Sequence, residues 1–362
     1  MSAPAPLGSG VEVRAIGLKF DKADALRSAR QIVAALIPHA RADDSDTLAV
    51  TPVTGGITNA LYKCTFAVGK GDERRAPVLV RVFGGEGMID RKRDNLLFIS
   101  LSKAGLGPKC LGLFDNGRVE EFLEGCTTMT CDDLGKKDIA AGIAVQLARV
   151  HSFEPPAEVV GEVREPALWK QLWDWHKQAI AVTFEAGTKE AEELQSLGLG
   201  KMEQELKELQ AAVPDSCPLA FCNNDLLAGN VMVHNSTGRV HLIDFEYGGI
   251  NYRGFDIANH FNEYAGGTDN GYPEYSKFPT EAHMREFCTV YVEELGKAGK
   301  AAGTTADEVL GEVKIFILVD HLYWGLWAVN MASTQGCAQF PYLMYSRNRL
   351  QEYWKRKQDQ PA

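Results

Sequence analysis

Alternation of hydrophobic and polar residues marks the first third of the chain and predicts β-strands over 47–53, 61–68 and 77–83. Helical spacing of apolar residues precedes them at 23–36. A second helix is predicted from Asp90, a residue type favoured at the N-cap, to about Lys103. Two further strands flank Asp115-Asn116-Gly117, a sequence typical of a hairpin turn. Residues 21–124 therefore predict a small lobe rich in β-structure.

From residue 125 onward the apolar pattern becomes mostly helical. It predicts a buried helix at 139–151, an exposed, charge-rich helix at 190–212 and further helices from 281 to the end, with short strands at 219–222, 231–234 and 240–245. Residues 1–20, rich in Pro, Gly and Ser, predict a flexible leader. The expected fold class is α+β with two lobes, an N-lobe over 21–124 and a larger C-lobe over 125–362, joined by a hinge at 120–125.

Composition narrows the function classes. The chain has 362 residues, of which 45% are hydrophobic and 24% charged, so a disordered or fibrous protein is excluded. Acidic residues outnumber basic ones by 48 to 38, giving a net charge of −10. That sign provides no electrostatic attraction to nucleic acid or to an anionic membrane, but it favours a small cation as a ligand.

Two observations bear on the compartment. The longest uncharged stretch, 322–346, is interrupted by polar residues, so no membrane insertion is expected, and residues 1–10 lack the pattern of a secretory signal. The eight cysteines show no CxxC spacing. That absence disfavours a zinc site, and in a long chain without a secretory signal we expect reduced cysteines and a cytoplasmic protein.

The sharpest chemical pattern is an aspartate, Asp225, followed by Asn230 and then by Asp244 after a predicted strand hairpin. Phosphoryl transfer uses one carboxylate to accept the proton of the attacking hydroxyl. It uses a second carboxylate and an amide oxygen to hold magnesium against the phosphates. A simpler interpretation is that Asp225 and Asn230 bracket a turn and Asp244 ends a strand. The hairpin and the Asp244-Phe245 pair favour the catalytic interpretation.

This segment resembles the eukaryotic choline/ethanolamine kinases, which share the protein-kinase-like fold with aminoglycoside phosphotransferases. The resemblance is carried by three motifs, Ile243-Asp244-Phe245-Glu246-Tyr247, Tyr252-Arg253-Gly254-Phe255-Asp256 and His321-Leu322-Tyr323-Trp324-Gly325-Leu326-Trp327. It implies an ATP-dependent kinase in which Asp225 is the catalytic base and Asn230 and Asp244 hold Mg²⁺. It also implies that Asp256 ties the catalytic loop to a helix and that His151 is a buried structural residue.

The resemblance further implies a nucleotide site built by the N-lobe. Arg81 is expected to contact phosphates, in the place of the protein-kinase lysine. The turn containing Gly55, Gly56, Thr58 and Asn59 would cover those phosphates, and the hinge residues Glu121 and Phe122 would meet adenine. Two positions depart from the family pattern. Asn223 replaces the usual histidine of the catalytic loop, and Asp94 replaces the helix glutamate that pairs with the arginine.

An amine pocket is expected beside Asp225. By the resemblance its candidate residues are Glu246, Glu263, Trp324, Trp327 and Tyr345. The two tryptophans are three residues apart on a predicted helix and so share one face, which suits a cation–π wall. The simpler alternatives are a core stripe for the tryptophans and a helix-surface charge for Glu263.

The acceptor is left open between two amines. The run Asn262-Glu263-Tyr264-Ala265-Gly266 resembles the ethanolamine branch, which would make phosphoethanolamine in the first step of phosphatidylethanolamine synthesis; choline is the alternative. A different class of function is a catalytically weak relative that binds nucleotide or amine as a regulatory module. An antibiotic kinase or a protein kinase fits these motifs less well. Since many relatives dimerise, a homodimer is also allowed, although the sequence has no interface signature.

Overall fold

The structure is a computed structural model that describes residues 13–37, 48–53, 59–66, 75–84, 90–162 and 164–359. The strands within this part of the chain are β1 (Ala15–Ile16), β2 (Ala49–Val53), β3 (Asn59–Thr65), β4 (Val78–Phe83), β5 (Cys110–Phe114), β6 (Gly117–Glu121), β7 (Cys126–Thr128), β8 (Leu219–Cys222), β9 (Val231–His234), β10 (Val240–Leu242) and β11 (Gly249–Tyr252). The α-helices are α1 (Ala25–Leu36), α2 (Arg91–Lys103), α3 (Cys131–Leu134), α4 (Lys137–His151), α5 (Ala157–Val160), α6 (Ala167–Ala179), α7 (Lys189–Ser196), α8 (Met202–Ala212), α9 (Arg253–Asn262), α10 (Glu281–Lys297), α11 (Ala306–Gln335) and α12 (Tyr342–Asp359).

These elements divide into two compact units. The first unit holds the described residues up to Cys126, together with Pro155–Glu162 and His234–Ser236. The second unit holds nearly all of the remainder, from Thr127 onward. The predicted strands and helices of the first 124 residues are present with small shifts at their ends, and Asp90 caps α2 by accepting from two backbone N–H groups.

The first unit is built on a six-stranded sheet in the order β1-β5-β6-β4-β3-β2. All pairings are antiparallel except the one between β1 and β5, which is parallel. Period-two alternation in β4 sends Val78, Val80 and Val82 into the core, where α1 contributes Ile32 and Leu36. Arg81 therefore lies on the opposite face of the strand.

The predicted flexible leader over 1–20 is wrong in its described part. Ala15–Ile16 forms β1 beside β5, and Phe20 is 2% exposed. The Phe20 backbone also exchanges two hydrogen bonds with the side chain of Asn116, at 2.8 and 3.0 Å. A buried aromatic and a paired backbone fix this segment to the sheet. Residues 1–12 lie outside the described residues.

The second unit is mainly helical and is centred on α11. This helix packs against α6, α9, α10 and α12, which explains why its apolar residues go round most of its surface. By length and composition α11 could cross a membrane, but 78% of its most apolar window is buried within the protein, as in the core helix of a soluble protein. Two small sheets, β7-β9-β10 and β8-β11, lie among the helices.

Two predicted elements of the second unit differ in the structure. The helix expected over 190–212 is split into α7 and α8, because Gly198 adopts the left-handed φ of 63° that a helix cannot continue through. The strand expected over 240–245 ends at Leu242, and Asp244 has a φ of 55°. The chain thus turns sharply at one of the predicted metal ligands.

Candidate active site

The segment between β8 and β9 contains the predicted catalytic loop, and a buried carboxylate holds its backbone. Asp256 accepts hydrogen bonds from the backbone N–H groups of Asn223 at 2.8 Å and Asn224 at 2.6 Å. Its carboxylate lies 3.0 Å from His151 Nε2, and the other ring nitrogen of His151 lies 2.7 Å from the Tyr291 hydroxyl. Asp256 therefore ties the loop to α9, as expected, and His151 is a hydrogen-bonded structural residue.

Two loop residues adopt left-handed backbone angles that non-glycine residues seldom use. Asn224 has a φ of 66° and Asp244 one of 55°. The Asn224 side chain secures its angle by donating to the Tyr247 carbonyl at 2.9 Å and accepting from Asn251 at 2.8 Å. Backbone strain held in this way is frequent at functional sites.

Asp225, Asn230 and Asp244 are brought together by hydrogen bonds. Asn230 Nδ2 donates to the backbone carbonyl of Asp225 at 2.8 Å. The Asn223 side chain bridges the other two: its oxygen accepts from the Asp225 N–H at 3.1 Å and its amide group donates to the Asp244 carbonyl at 3.1 Å. The residue that departs from the family's histidine thus makes two contacts that brace the loop.

The donor set fits a magnesium ion. Because the amide nitrogen of Asn230 is engaged with Asp225, the Asn230 side-chain oxygen is the end left for a cation. Together with the Asp244 carboxylate it offers the hard oxygen ligands that Mg²⁺ prefers.

Asp225 lies among other carboxylates. Burial raises the pKa of Asp225 well above its ordinary value, and the negative charges of Glu263, Asp244, Glu246 and Asp320 raise it further. The four charges that act most strongly on this carboxyl are therefore all of its own sign. Such a cluster is stabilised by cations, which lower the energy of its ionised form.

Glu263 is a buried member of this cluster, and among the described residues Arg349 is its cationic partner. It is 3% exposed, and Arg349 Nη1 donates to its Oε1 at 3.3 Å. Burial raises the pKa of Glu263 to about 7, an effect that the nearby Arg349 guanidinium opposes. The alternative of a helix-surface charge is therefore wrong for Glu263.

Aromatic rings form a continuous chain that includes the two predicted tryptophans. The centroids of Trp324 and Trp327 are 5.3 Å apart, and Tyr247 lies 6.0 Å from Trp324. Tyr342 packs on Trp327 at 5.7 Å. Tyr345 is 2% exposed and lies near Glu263. Burial raises the pKa of the Tyr345 hydroxyl, and the negative charge of Glu263 raises it further. Burial likewise raises the pKa of Tyr247, and the negative charges of the nearby Asp225 and Glu246 raise it further.

The first unit has its own charged site around Arg81. Arg81 Nε lies 2.6 Å from Glu120 Oε1, and Arg118 Nε lies 2.7 Å from the same oxygen. Arg118 also pairs with Asp94 at 2.8 Å. In the part of the chain that the structure describes, Asp94 is thus paired with Arg118 and, at 4.0 Å, with Arg91 rather than with Arg81. The counter charge of Arg81 is a strand residue, Glu120.

The remaining nucleotide candidates are partly described. Gly55, Gly56 and Thr58 lie outside the described residues, whereas Asn59 begins β3. Glu121 ends β6, and its backbone N–H donates to the Lys109 carbonyl at 2.9 Å. The centroid of the Phe122 ring lies 4.3 Å from Lys63 Nζ. The backbone carbonyl of Phe122 accepts a hydrogen bond from the Glu124 N–H at 2.8 Å.

Sequence reasoning missed several residues of the second unit's site. Asp320 and Arg349 form a fully buried ion pair beside Glu263, and Asn259 accepts from the Leu226 N–H at 2.7 Å. Asp320 stands next to the tryptophan motif, and a charged residue in an apolar helix does signal a site there, but the sequence does not reveal its pairing with Arg349. Arg349 had no local signal, since its role depends on α12 packing against α11.

Comparison with known proteins places this geometry in a family. A family model described as choline/ethanolamine kinase matches residues 50–354. The chain is 36% identical over 319 residues to a probable ethanolamine kinase of Arabidopsis thaliana, covering 87% of this chain and 81% of that protein. It is 31% identical over 322 residues to a probable choline kinase of the same plant, covering 87% of this chain and 88% of that protein.

Among solved structures, an ethanolamine kinase of Plasmodium vivax is similar with a TM-score of 0.74 at 22% identity, covering 90% of this chain and 88% of that one. This likeness establishes the protein-kinase-like fold. Because the family model spans most of the chain, and relatives more than 30% identical are named as kinases of two amino alcohols, the chain is a small-molecule kinase and belongs to the choline/ethanolamine kinase family.

Proposed function

We propose that this protein transfers the γ-phosphoryl group of ATP to the hydroxyl of ethanolamine, with Mg²⁺, to give phosphoethanolamine. The observation that carries the proposal is the carboxylate cluster around Asp225. The neighbouring charges that act most strongly on Asp225 are negative. Glu263 is one of them, and Glu263 also lies near Tyr345. An acceptor that brings its own positive charge beside its reacting hydroxyl suits this surrounding.

Each candidate residue has a role in this reaction. Asp225 accepts the proton of the ethanolamine hydroxyl as that oxygen attacks phosphorus. Asn230 and Asp244 would hold magnesium, which when bound offsets the charge of the phosphate oxygens. Arg81 contributes a permanent cation and a planar fork suited to phosphate oxygens. Asn59, Gly55, Gly56 and Thr58 are proposed for the phosphate loop, and Glu121 and Phe122 for adenine.

The amine would be held by carboxylates and aromatic rings together. A primary ammonium group carries three N–H donors and needs acceptors, which Glu263 and Glu246 supply. Trp324, Trp327 and Tyr345 provide the rings that favour a cation at their faces. The buried state of Glu263 supports ethanolamine, because a trimethylammonium group donates no hydrogen bond to it.

Choline is the second candidate, and a specific observation favours it. The chain of rings through Tyr247, Trp324 and Trp327 resembles the aromatic surface that a quaternary ammonium prefers. The relatives named above include both kinds of kinase. The choice between the two amines therefore rests on direct measurement.

The experiment is an assay of ADP release with magnesium, ATP and either ethanolamine or choline. We expect release that depends on amine, with the larger kcat/KM for ethanolamine. A larger value for choline would reverse the proposed preference, and no dependence on either amine would overturn the proposed reaction. Asp225→Asn is the active-site control; equal amine-dependent rates in this variant and the wild type would show that the base is assigned wrongly.

The proposed setting is the cytoplasm. All eight cysteines are free in the structure, which supports a reducing compartment. The buried position of α11 supports an enzyme that works in solution.

A further inference from the structure

A chain of buried hydrogen bonds connects the catalytic loop to Glu263 through Asp320. The backbone N–H of Leu226, the residue after Asp225, donates to Asn259 at 2.7 Å. The amide group of Asn259 donates to Asp320 Oδ1 at 3.0 Å. Asp320 Oδ2 accepts from Arg349 Nη2, and Arg349 Nη1 reaches Glu263 at 3.3 Å. The side chains that form this chain are all at most 3% exposed.

The guanidinium of Arg349 makes more hydrogen bonds to Asp320 than to Glu263. One terminal nitrogen engages both the carboxylate and, at 3.3 Å, the backbone carbonyl of Asp320. The other makes a single long contact with Glu263. Asn262 adds a further bond of 2.7 Å to Asp320, which fixes the aspartate as the tighter partner. The Glu263 carboxylate is therefore only partly compensated.

We propose that Asp320 is a positioning residue for the amine substrate. By engaging Arg349 it prevents that guanidinium from forming a two-point pair with Glu263. Arginine favours such fork-to-carboxylate pairs, so an Arg349 without Asp320 turns to Glu263. The ammonium group of the substrate would then compete with an internal cation for the same carboxylate.

This inference rests on the proposed function, since it assigns Asp320 a part in holding the amine. The first test is Asp320→Asn, assayed at pH 8. We expect the KM for the amine to rise at least tenfold, while kcat and the KM for ATP change by less than threefold. A structural role would instead lower kcat or thermal stability and leave the amine KM unchanged.

The second test adds Arg349→Met to Asp320→Asn. The double variant removes the Asp320–Arg349 pair as a whole, which costs less than leaving Arg349 buried without Asp320. It also leaves Glu263 without its internal cation, so the ammonium group of the substrate meets no competitor there. With the competing guanidinium gone, we expect an amine KM within threefold of the wild type. An amine KM still tenfold higher in the double variant would overturn the proposal.

Glu312→Gln is the matched control. Glu312 stands on the same helix and forms a two-point pair with Arg253, at 2.8 and 2.6 Å, outside the groups that act most strongly on Asp225. We expect it to lower stability without changing the amine KM. Failure of the proposed function has a different signature, because the wild-type protein itself would then phosphorylate neither amine.

Discussion

In the first unit, the described carboxylates around Arg81 are matched by cations, whereas in the second unit the charges that act most strongly on Asp225 come from other carboxylates. Arg81 and Arg118 share the carboxylate of Glu120, and Arg118 also pairs with Asp94. Asp94 also lies 4.0 Å from Arg91, so each of these two carboxylates has at least one cation beside it. Around Asp225, by contrast, the four strongest charges are all negative.

The difference indicates which site is complete without ligands. A matched network needs no further ion, and it orients Arg81 in advance of any contact with phosphate. A cluster of like charges is costly when buried, and it persists where ligands supply the missing charge. Magnesium and an ammonium group are both cations. The imbalance of the second unit therefore agrees with the two ligands that the proposed reaction brings there.

The largest expected effect comes from removing the charge of Asp225. We expect Asp225→Asn to lower kcat about a thousandfold, because a positioned general base contributes roughly 10²–10⁴-fold. The same change is expected to raise Tm at pH 8. The pKa of Asp225 is raised in the folded state, so the wild type loses stability as pH rises above the ordinary carboxyl range, and asparagine removes that loss.

The measurement is kcat by ADP release together with thermal unfolding at pH 5 and pH 8. The gain in Tm should be larger at pH 8 than at pH 5. Asp174→Asn, at an exposed i,i+4 pair with Lys170, is the control and should change neither quantity appreciably. A lower Tm in Asp225→Asn at pH 8 would contradict the contrast between the two units.

Removing an acid from the matched network should have the opposite effect on stability. Glu120→Gln leaves Arg81 and Arg118 side by side in register on neighbouring strands without their shared anion. Because breaking a buried ion pair by removing one partner costs roughly 3–5 kcal/mol, we expect a loss of about 3 kcal/mol in the free energy of unfolding. Denaturant unfolding of the purified variant measures it. A variant as stable as the wild type would show that the network is not matched by charge.

The pairing of Arg81 illustrates what a sequence does not reveal. The strand containing Arg81 was predictable from its apolar pattern and the strand containing Glu120 from the hairpin turn before it, but their register was not. The register sets Arg81 opposite Arg118, and the same-face spacing of two residues then brings Glu120 between them. Family analogy suggested Asp94 on the helix instead. Local pattern predicts an element, whereas the partner of a charge depends on the pairing of distant elements.

The nearness of Asp225, Asn230 and Asp244 was predictable for the opposite reason. Asp225, Asn230 and Asp244 lie within one loop and hairpin, so a short sequence fixes their neighbourhood. Asp320, Arg349 and Glu263 come from three separate helical segments and meet only because α12 and α9 pack on α11. The left-handed backbone angle at Asp244 could not be predicted from the sequence either, since aspartate seldom adopts it.

A smaller effect is expected from the titration of Glu263. Burial raises the pKa of Glu263 to about 7, and the ionised form is the one that binds an ammonium group. The ionised fraction of a group with that pKa rises about tenfold from pH 6 to pH 8, so the amine KM should fall about tenfold over that interval. Glu263→Gln should have a higher KM that no longer changes with pH in this range. An amine KM that rises with pH in the wild type would contradict the assignment.

The smallest effect is expected where the chain departs from its family. Asn223 accepts from the Asp225 N–H and donates to the Asp244 carbonyl, so its side chain serves one donor and one acceptor. A neutral histidine also offers one of each. We therefore expect Asn223→His to keep kcat within about tenfold, or roughly 1.4 kcal/mol of barrier, of the wild type.

Asn223→Leu, of similar size but without polar atoms, should lose more than the histidine variant, because it leaves both loop groups unpaired. Equal losses in the two variants would show that these hydrogen bonds do not position the loop, and a hundredfold gain with histidine would show that the native loop is impaired.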